Sequence, residues 1–288
     1  MSANPATVNR VPSSASERGK SRAMPSGLHV ALAVPAFFLC LSAPSFAAGT
    51  QPETAGKAQP FLDNFDTLDR RRWYISDSWT NGSHQNCTWS KDEVKDKDGH
   101  LVLSFDKKTY KDRAYSCAEI QTKKRFSYGV YEARMKTGTG SGLNAAFFTF
   151  IGSADKQPHD EIDFEALTKN PDKVQVNAFA GGKGKNEKLV DVKGGTNAAF
   201  HDYAFVWEPD RIRWYVDGKL VNTITDPAKI PTHPQKIFFS LWGSDNMTGW
   251  MGKFSDPGHP VTLEVDRVAF TPLGQPCQFE GSLACNLH

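Results

Sequence analysis

The chain has 288 residues, of which 39% are hydrophobic and 11% aromatic, and carries a formal charge of +2. That length and apolar content suit one large all-β or α/β domain or two small ones, and the near-balance of charge excludes the dense basic character of a nucleic-acid or membrane-surface binder. The small positive excess is local: Arg10, Arg18, Lys20 and Arg22 against Glu17 leave the chain beyond residue 48 at a net −1.

The N-terminus accounts for that excess. A basic, Ser-rich stretch precedes an apolar run at 28–41, interrupted by Pro35 and too short to span a bilayer. Ser45 and Ala47 place small residues at the −3 and −1 positions of a cleavage site. Residues 1–47 are therefore expected to be a secretory signal peptide. The mature protein is expected outside the cytoplasm, extracellular or periplasmic, as a monomer without a membrane span. Residues 48–60 read as a linker of Ala, Gly, Thr, Gln, Pro and Lys.

Removing the leader leaves Cys87, Cys117, Cys277 and Cys285, an even count that favours disulfides in an exported chain. Three connectivities are possible; Cys87–Cys117 with Cys277–Cys285 is the favoured one. None has the C-x-x-C spacing of a zinc site.

From Phe61 onward, short alternating runs are separated by turn signals. Strands are expected at 101–105, 129–135, 145–150, 159–167, 174–179, 203–207, 211–216, 219–224, 237–242 and 261–270. Asp217-Gly218 between two alternating runs is a strong hairpin signal. Only 227–230 suggests a helical turn. Many short strands at this spacing indicate one all-β domain, a sandwich or barrel, over 61–271. Residues 272–288 form a polar tail with two cysteines.

One stretch stands out. In His159-Asp160-Glu161-Ile162-Asp163-Phe164-Glu165-Ala166-Leu167, acidic and apolar residues alternate strictly from 161 to 166, so Glu161, Asp163 and Glu165 share one strand face. A solvated face and a Ca²⁺ site are alternatives to chemistry here. Residues i and i+4 of a strand lie about 13 Å apart at Cα, and two glutamates leaning together leave a gap of about 5–6 Å. Retaining glycosidases hold their two carboxyls about 5–5.5 Å apart. Trp79, Trp89, Phe179, Trp242 and Trp250 could supply ring faces for sugars, whereas Trp207 and Trp214 fall inside apolar strands and are assigned to the core.

Asp160-Glu161-Ile162-Asp163-Phe164-Glu165 resembles the E-[ILV]-D-x-E signature of family-16 glycoside hydrolases, in its uninterrupted form. Asn86-Cys87-Thr88-Trp89, Cys117-Ala118-Glu119, Tyr128-Gly129-Val130-Tyr131-Glu132, Val174-Gln175-Val176-Asn177, Trp214-Tyr215-Val216-Asp217-Gly218 and Leu241-Trp242 are similar to segments of its lichenase branch, the endo-1,3-1,4-β-glucanases. Within that branch the chain resembles rhizobial secreted glycanases acting on succinoglycan-type exopolysaccharide.

The resemblance implies a jelly-roll β-sandwich with a concave sheet forming the cleft. It makes Glu161 the nucleophile, Glu165 the acid/base and Asp163 the assisting carboxylate of a retaining endo-β-glycanase. Glu119, Asn177, Trp242 and Trp250 match sugar-contacting positions, and Asn81 another at the rim. Cys87–Cys117 matches the single lichenase disulfide. No catalytic cofactor is implied, but a structural calcium is, held by the backbone of Asn64 and Gly99 and the side chain of Asp266. The chain departs from lichenases at His159 (Trp there), Gln121 (Arg), Phe179 (Tyr) and Ser240 (Asn), which is expected to alter substrate recognition and leave the chemistry intact. The alternatives are a β-1,3-glucanase, a transglycosylase and a non-catalytic carbohydrate-binding sandwich.

Overall fold

The structure, a computed structural model, describes residues 59–287. The expected leader and most of the linker lie outside the described residues. In chain order the strands are β1 (Phe61–Asp63), β2 (Trp73–Ile75), β3 (Cys87–Trp89), β4 (Val94–Lys97), β5 (His100–Phe105), β6 (Tyr115–Thr122), β7 (Gly129–Thr137) and β8 (Leu143–Ile151). They continue as β9 (Asp160–Leu167), β10 (Lys173–Phe179), β11 (Lys188–Asp191), β12 (His201–Trp207), β13 (Ile212–Val216), β14 (Lys219–Ile224), β15 (Lys236–Gly243) and β16 (Val261–Pro272). Among the described residues helix is confined to short turns, among them Pro227–Lys229, where one was expected, and Thr248–Met251, where none was.

The strands form where side chains alternate between core and surface. In β5 (His-Leu-Val-Leu-Ser-Phe), Leu101, Leu103 and Phe105 are buried and the residues between them half-buried. Turn chemistry sets the register. Asp217 and Gly218 both have positive φ, 47° and 72°, as a two-residue type I′ turn requires, and they join β13 to β14 as expected.

Two sheets result. One runs β14-β13-β12-β7-β16-β5-β4, with β1 also paired to β16; the other runs β11-β10-β9-β8-β15-β6-β2, with β3 paired to β6. Every strand pair is antiparallel except β3–β6.

The sheets pack through an aromatic core. Phe147 of β8 lies 5.7 Å from Phe205 of β12, and Phe164 of β9 lies 5.4 Å from Tyr203 of β12. Burying each such ring stabilises the fold by about 2–3 kcal/mol. Trp207 and Trp214 are fully buried, as expected. Trp89 is buried as well, which corrects its expected place among the cleft aromatics: β3 turns its ring inward, and Trp79 packs edge-on against it at 6.2 Å. Trp214 reaches across the sandwich and donates its indole N–H to the carbonyl of Asp163 at 3.1 Å, fixing β9 from behind.

Both favoured disulfides are present, Cys87–Cys117 and Cys277–Cys285. The tail folds back onto the outer face of the first sheet. Leu283, Ala284 and Leu287 cover Val130, Ala204, Val206 and Tyr215. Ser282 Oγ and the Leu283 N–H donate to the Glu132 carboxylate at 2.6 and 2.7 Å.

Candidate active site

β9 lies inside the second sheet between β8 and β10. Its Ile162, Phe164 and Ala166 are buried in the core, so alternation turns Glu161, Asp163 and Glu165 to the opposite face. Residues paired across antiparallel strands share a face, and the register therefore writes rows across it. Glu161 stands between Phe150 and Phe179, Asp163 between Phe148 and Asn177, and Glu165 between Ala146 and Gln175. Through β15 and β6, the Asp163 row continues to Phe238 and Gln121, and the Glu165 row to Ser240 and Glu119. Seven of the expected site residues thus meet on one face through strand register alone.

Three carboxyls in a row cannot all ionise at little cost. Burial, the charges of Glu161 and Glu165 and a hydrogen bond with Glu161 push the Asp163 pKa well above the usual carboxylate range. Burial first, then the charge of Glu161, raises Glu165 to about 8. Asn144 of β8 opposes that rise by donating its amide to Glu165 Oε1 at 3.1 Å, while Glu187 adds to it. Burial also lifts Glu119 to about 7, against a 2.6 Å hydrogen bond from Ser76 Oγ. At neutral pH, Glu165 accordingly keeps its proton, and Asp163 is pushed toward its protonated form.

His159 enters from the start of β9. Its Nε2 lies 2.5 Å from Glu161 Oε2. The ring stacks on Phe179 with centroids 4.9 Å apart and meets Phe150 edge-on at 5.2 Å. Asp160, the next residue, is 2% exposed. It accepts from the Gly181 N–H at 2.8 Å, the Thr232 N–H at 3.0 Å, and the His233 N–H and Nδ1 at 3.1 and 2.8 Å. These bonds outweigh its burial and hold its pKa low. They also tie the loops after β10 and before β15 to the Glu161 end of β9.

An aromatic wall stands at the Glu165 end. Trp242, paired with Asn144, faces Trp250 at 6.3 Å. The turn Thr248–Met251 carries Trp250, whose Nε1–H donates to Gln175 Oε1 at 2.8 Å. His84 meets Trp242 edge-on at 5.7 Å. Asn81 lies in the same exposed loop, its backbone N–H donating to Gln85 Oε1 at 3.0 Å. Asn177 Oδ1 accepts from the Ala178 and Asn186 N–H groups at 2.9 and 3.3 Å.

Sequence reasoning missed Asn144, Gln175, Ser76 and His84. Gln175 could have been found by continuing the alternation that places Asn177, one step along β10. Asn144 and Ser76 act through strand pairing, which a single sequence does not print.

Asn64 follows β1 and Gly99 precedes β5, and these strands flank β16 on one side around Asp266. The Asp266 carboxylate is engaged by Arg267 Nη1 at 2.9 Å, Arg134 Nε at 3.6 Å and His100 Nε2 at 3.6 Å. A calcium ion needs oxygen donors with charge to spare. A carboxylate ringed by two guanidinium groups and an imidazole does not fit that need. Among the described residues no group of three or more His, Cys, Asp or Glu side chains could hold a metal ion.

A sandwich with paired acids on one sheet face and tryptophans beside them defines a glycoside hydrolase. The sequence profile of glycosyl hydrolases family 16 matches residues 81–256. The chain is 63% identical over 227 residues to the endo-1,3-1,4-beta-glycanase ExoK of Rhizobium meliloti (strain 1021), covering 79% of this chain and 84% of that protein. It is 36% identical over 241 residues to a beta-glucanase of Bacillus subtilis (strain 168), covering 83% and 96%. A prokaryotic beta-1,3-1,4-glucanase (lichenase) from a mouse hindgut metagenome superposes with a TM-score of 0.72 at 35% identity, covering 75% of this chain and all of that one. The chain belongs to glycosyl hydrolases family 16, and its fold is the jelly-roll β-sandwich of those relatives.

Proposed function

We propose that the chain is an endo-acting, retaining β-glycanase of 1,3-1,4-β-linked glucan or succinoglycan-type exopolysaccharide, with Glu161 as nucleophile and Glu165 as acid/base. The observation that carries this reading is a raised Glu165 carboxyl on the same strand face as Glu161. Glu165, with a pKa of about 8, keeps its proton at neutral pH beside Glu161, and their separation on the strand suits double displacement. Two acids with different proton occupancy are what a retaining mechanism requires.

In the first step Glu165 gives its proton to the glycosidic oxygen as the C–O bond breaks, and a Glu161 oxygen bonds to the anomeric carbon. In the second, Glu165, now ionised, takes a proton from water. The water oxygen attacks the anomeric carbon, and the Glu161–carbon bond breaks. Asp163, protonated, donates to Glu161 and steadies it as it leaves. Trp242 and Trp250 offer ring faces to sugars, with Glu119, Gln121, Asn177 and Asn81 as polar contacts. No catalytic metal or redox cofactor enters these steps.

Glu161→Gln should abolish hydrolysis, and NMR of the first-formed anomer should show retention; net inversion would overturn the mechanism. Product analysis on mixed-linkage β-glucan, succinoglycan, laminarin and xyloglucan in parallel tests the substrate. Preference for laminarin would make the protein a β-1,3-glucanase. Binding without hydrolysis would make it a carbohydrate-binding sandwich. Export, with cleavage after Ala47, is supported by the leader composition and by two disulfides. N-terminal sequencing of protein recovered outside the cytoplasm tests it.

A further inference from the structure

We propose that His159 is a positioning residue that holds the Glu161 carboxylate through Oε2 and so fixes its aim for attack. This inference rests on Glu161 being the nucleophile. Two residues apart on a strand, side chains share a face, and His159 uses that relation to lean along β9 until Nε2 stands 2.5 Å from Glu161 Oε2. A hydrogen bond to a carboxylate is directional and worth more than one between neutral groups.

The imidazole is itself held on several sides. Phe179 of β10 stacks on its face and Phe150 of β8 meets it edge-on. Its own carbonyl accepts from the Gly182 N–H at 2.7 Å. A ring clamped in this way loses little freedom when it bonds Glu161, which is what makes a positioning contact effective. Glu161 also has a hydrogen bond with Asp163. The nucleophile therefore sits between two donors, one from each neighbouring residue of its face.

The charged neighbours are few. Glu161 and Asp160 act on His159 from its own strand. β8 and β10 present only the rings of Phe150 and Phe179, and the loop after β10 presents a backbone amide. From the loop before β15, His233 is spoken for by Asp160, and Lys236, across from Phe150 in the same row, is bound to Asp155 at 2.9 Å. Burial works against the charged form of His159, but the hydrogen bond and charge of Glu161, with the charge of Asp160, raise its pKa above 6.5. A cationic imidazole thus faces Glu161 in mildly acidic solution.

The test is the pH profile of His159→Phe and His159→Gln on mixed-linkage β-glucan, with Glu161→Gln alongside. His159→Phe should lower kcat about 10- to 100-fold with little change in KM. His159→Gln, which keeps a donor, should lose less. In both, the acid limb of kcat/KM should move up by about one pH unit, because a carboxylate stripped of a cationic neighbour takes up a proton more readily. A loss confined to KM, or an unmoved acid limb in whichever variant folds, would overturn the positioning role. An active Glu161→Gln would instead sink the functional reading itself, so the two failures are distinguishable.

Discussion

Asn144 of β8 donates its side-chain amide to Glu165 Oε1 at 3.1 Å, and it is the one hydrogen bond that holds the Glu165 pKa down against burial. Removing it should let that pKa climb above about 8. Asn144→Ala should therefore carry the alkaline limb of kcat to higher pH. Turnover at pH 7 should fall about 3- to 10-fold, because a weaker acid protonates the leaving oxygen less readily in the first step. An alkaline limb that stays in place would show that Glu165 is not the group titrating there.

The raised carboxyls also shape stability. Glu119 and Glu165 titrate at about 7 and about 8 in the fold, against about 4.3 in an unfolded chain. Between those values the folded state binds more protons than the unfolded one, so stability falls as pH rises from about 4.3 to about 8. Glu165→Gln and Glu119→Gln remove that dependence. Each should raise Tm at pH 8 relative to wild type and change it little at pH 4, as followed by thermal unfolding in a pH series. Equal gains at both pH values would contradict the linkage.

The fold was legible where alternation is clean and turns are explicit. The β13–β14 hairpin follows from Asp217-Gly218, and β9 from the strict acidic–apolar alternation. β6 escaped notice because Ser116, Cys117, Ala118, Glu119, Ile120 and Gln121 mix small and polar side chains on both faces, although six consecutive residues from Ser116 are not, in fact, exposed. A strand buried on both sides shows no period. Trp89 was misplaced for a related reason: a tryptophan in a short strand carries no mark of which face it takes. The catalytic row was legible because it lies on one strand. Asn144, Gln175 and Ser76, which bond Glu165, Trp250 and Glu119, lie elsewhere in the chain, and only the register unites them.

Gly184 offers a way to disturb the His159 clamp without touching it. A Cβ built there would fall 2.3 Å from the Phe179 ring, so the ring must shift. Gly184→Ala should loosen the stack on His159 and lower kcat, while leaving far-UV circular dichroism unchanged. Wild-type turnover would show that Phe179 is not needed to hold the imidazole.

The two disulfides should separate in their contributions. Cys87–Cys117 is buried and spans 30 residues, whereas Cys277–Cys285 is half-buried and spans 8. Closing a loop of about 30 residues stabilises by roughly 3.6 kcal/mol, which for a domain of this size is about 7–14 °C in Tm. Cys87→Ser with Cys117→Ser should lose about that much. The paired tail variant should lose less, and mild reductant should open the tail bridge first. Equal losses would assign the tail a larger share of stability than its docking on β7 and β12 suggests.

Asp202 and Asp266 share the guanidinium groups of Arg134 and Arg267 on the first sheet. Asp202 bonds Arg134 at 2.9 Å and Arg267 at 2.7 Å, and Asp266 bonds Arg267 at 2.9 Å. This network occupies the carboxylate from which a calcium site would be built. The groups are partly exposed, so each pair contributes little by itself and is screened by salt. A bound cation would meet the charge of two arginines at Asp266 Oδ2 and the His100 ring near Oδ1. Excess EDTA should therefore leave Tm unchanged, and added Ca²⁺ should not raise it, since a ligand stabilises only in proportion to its preference for the folded state. Arg267→Ala would free part of the Asp266 carboxylate and give any latent cation affinity its best chance to appear. A Tm that falls with EDTA and recovers with Ca²⁺ in wild type would show that the arginines yield to the metal.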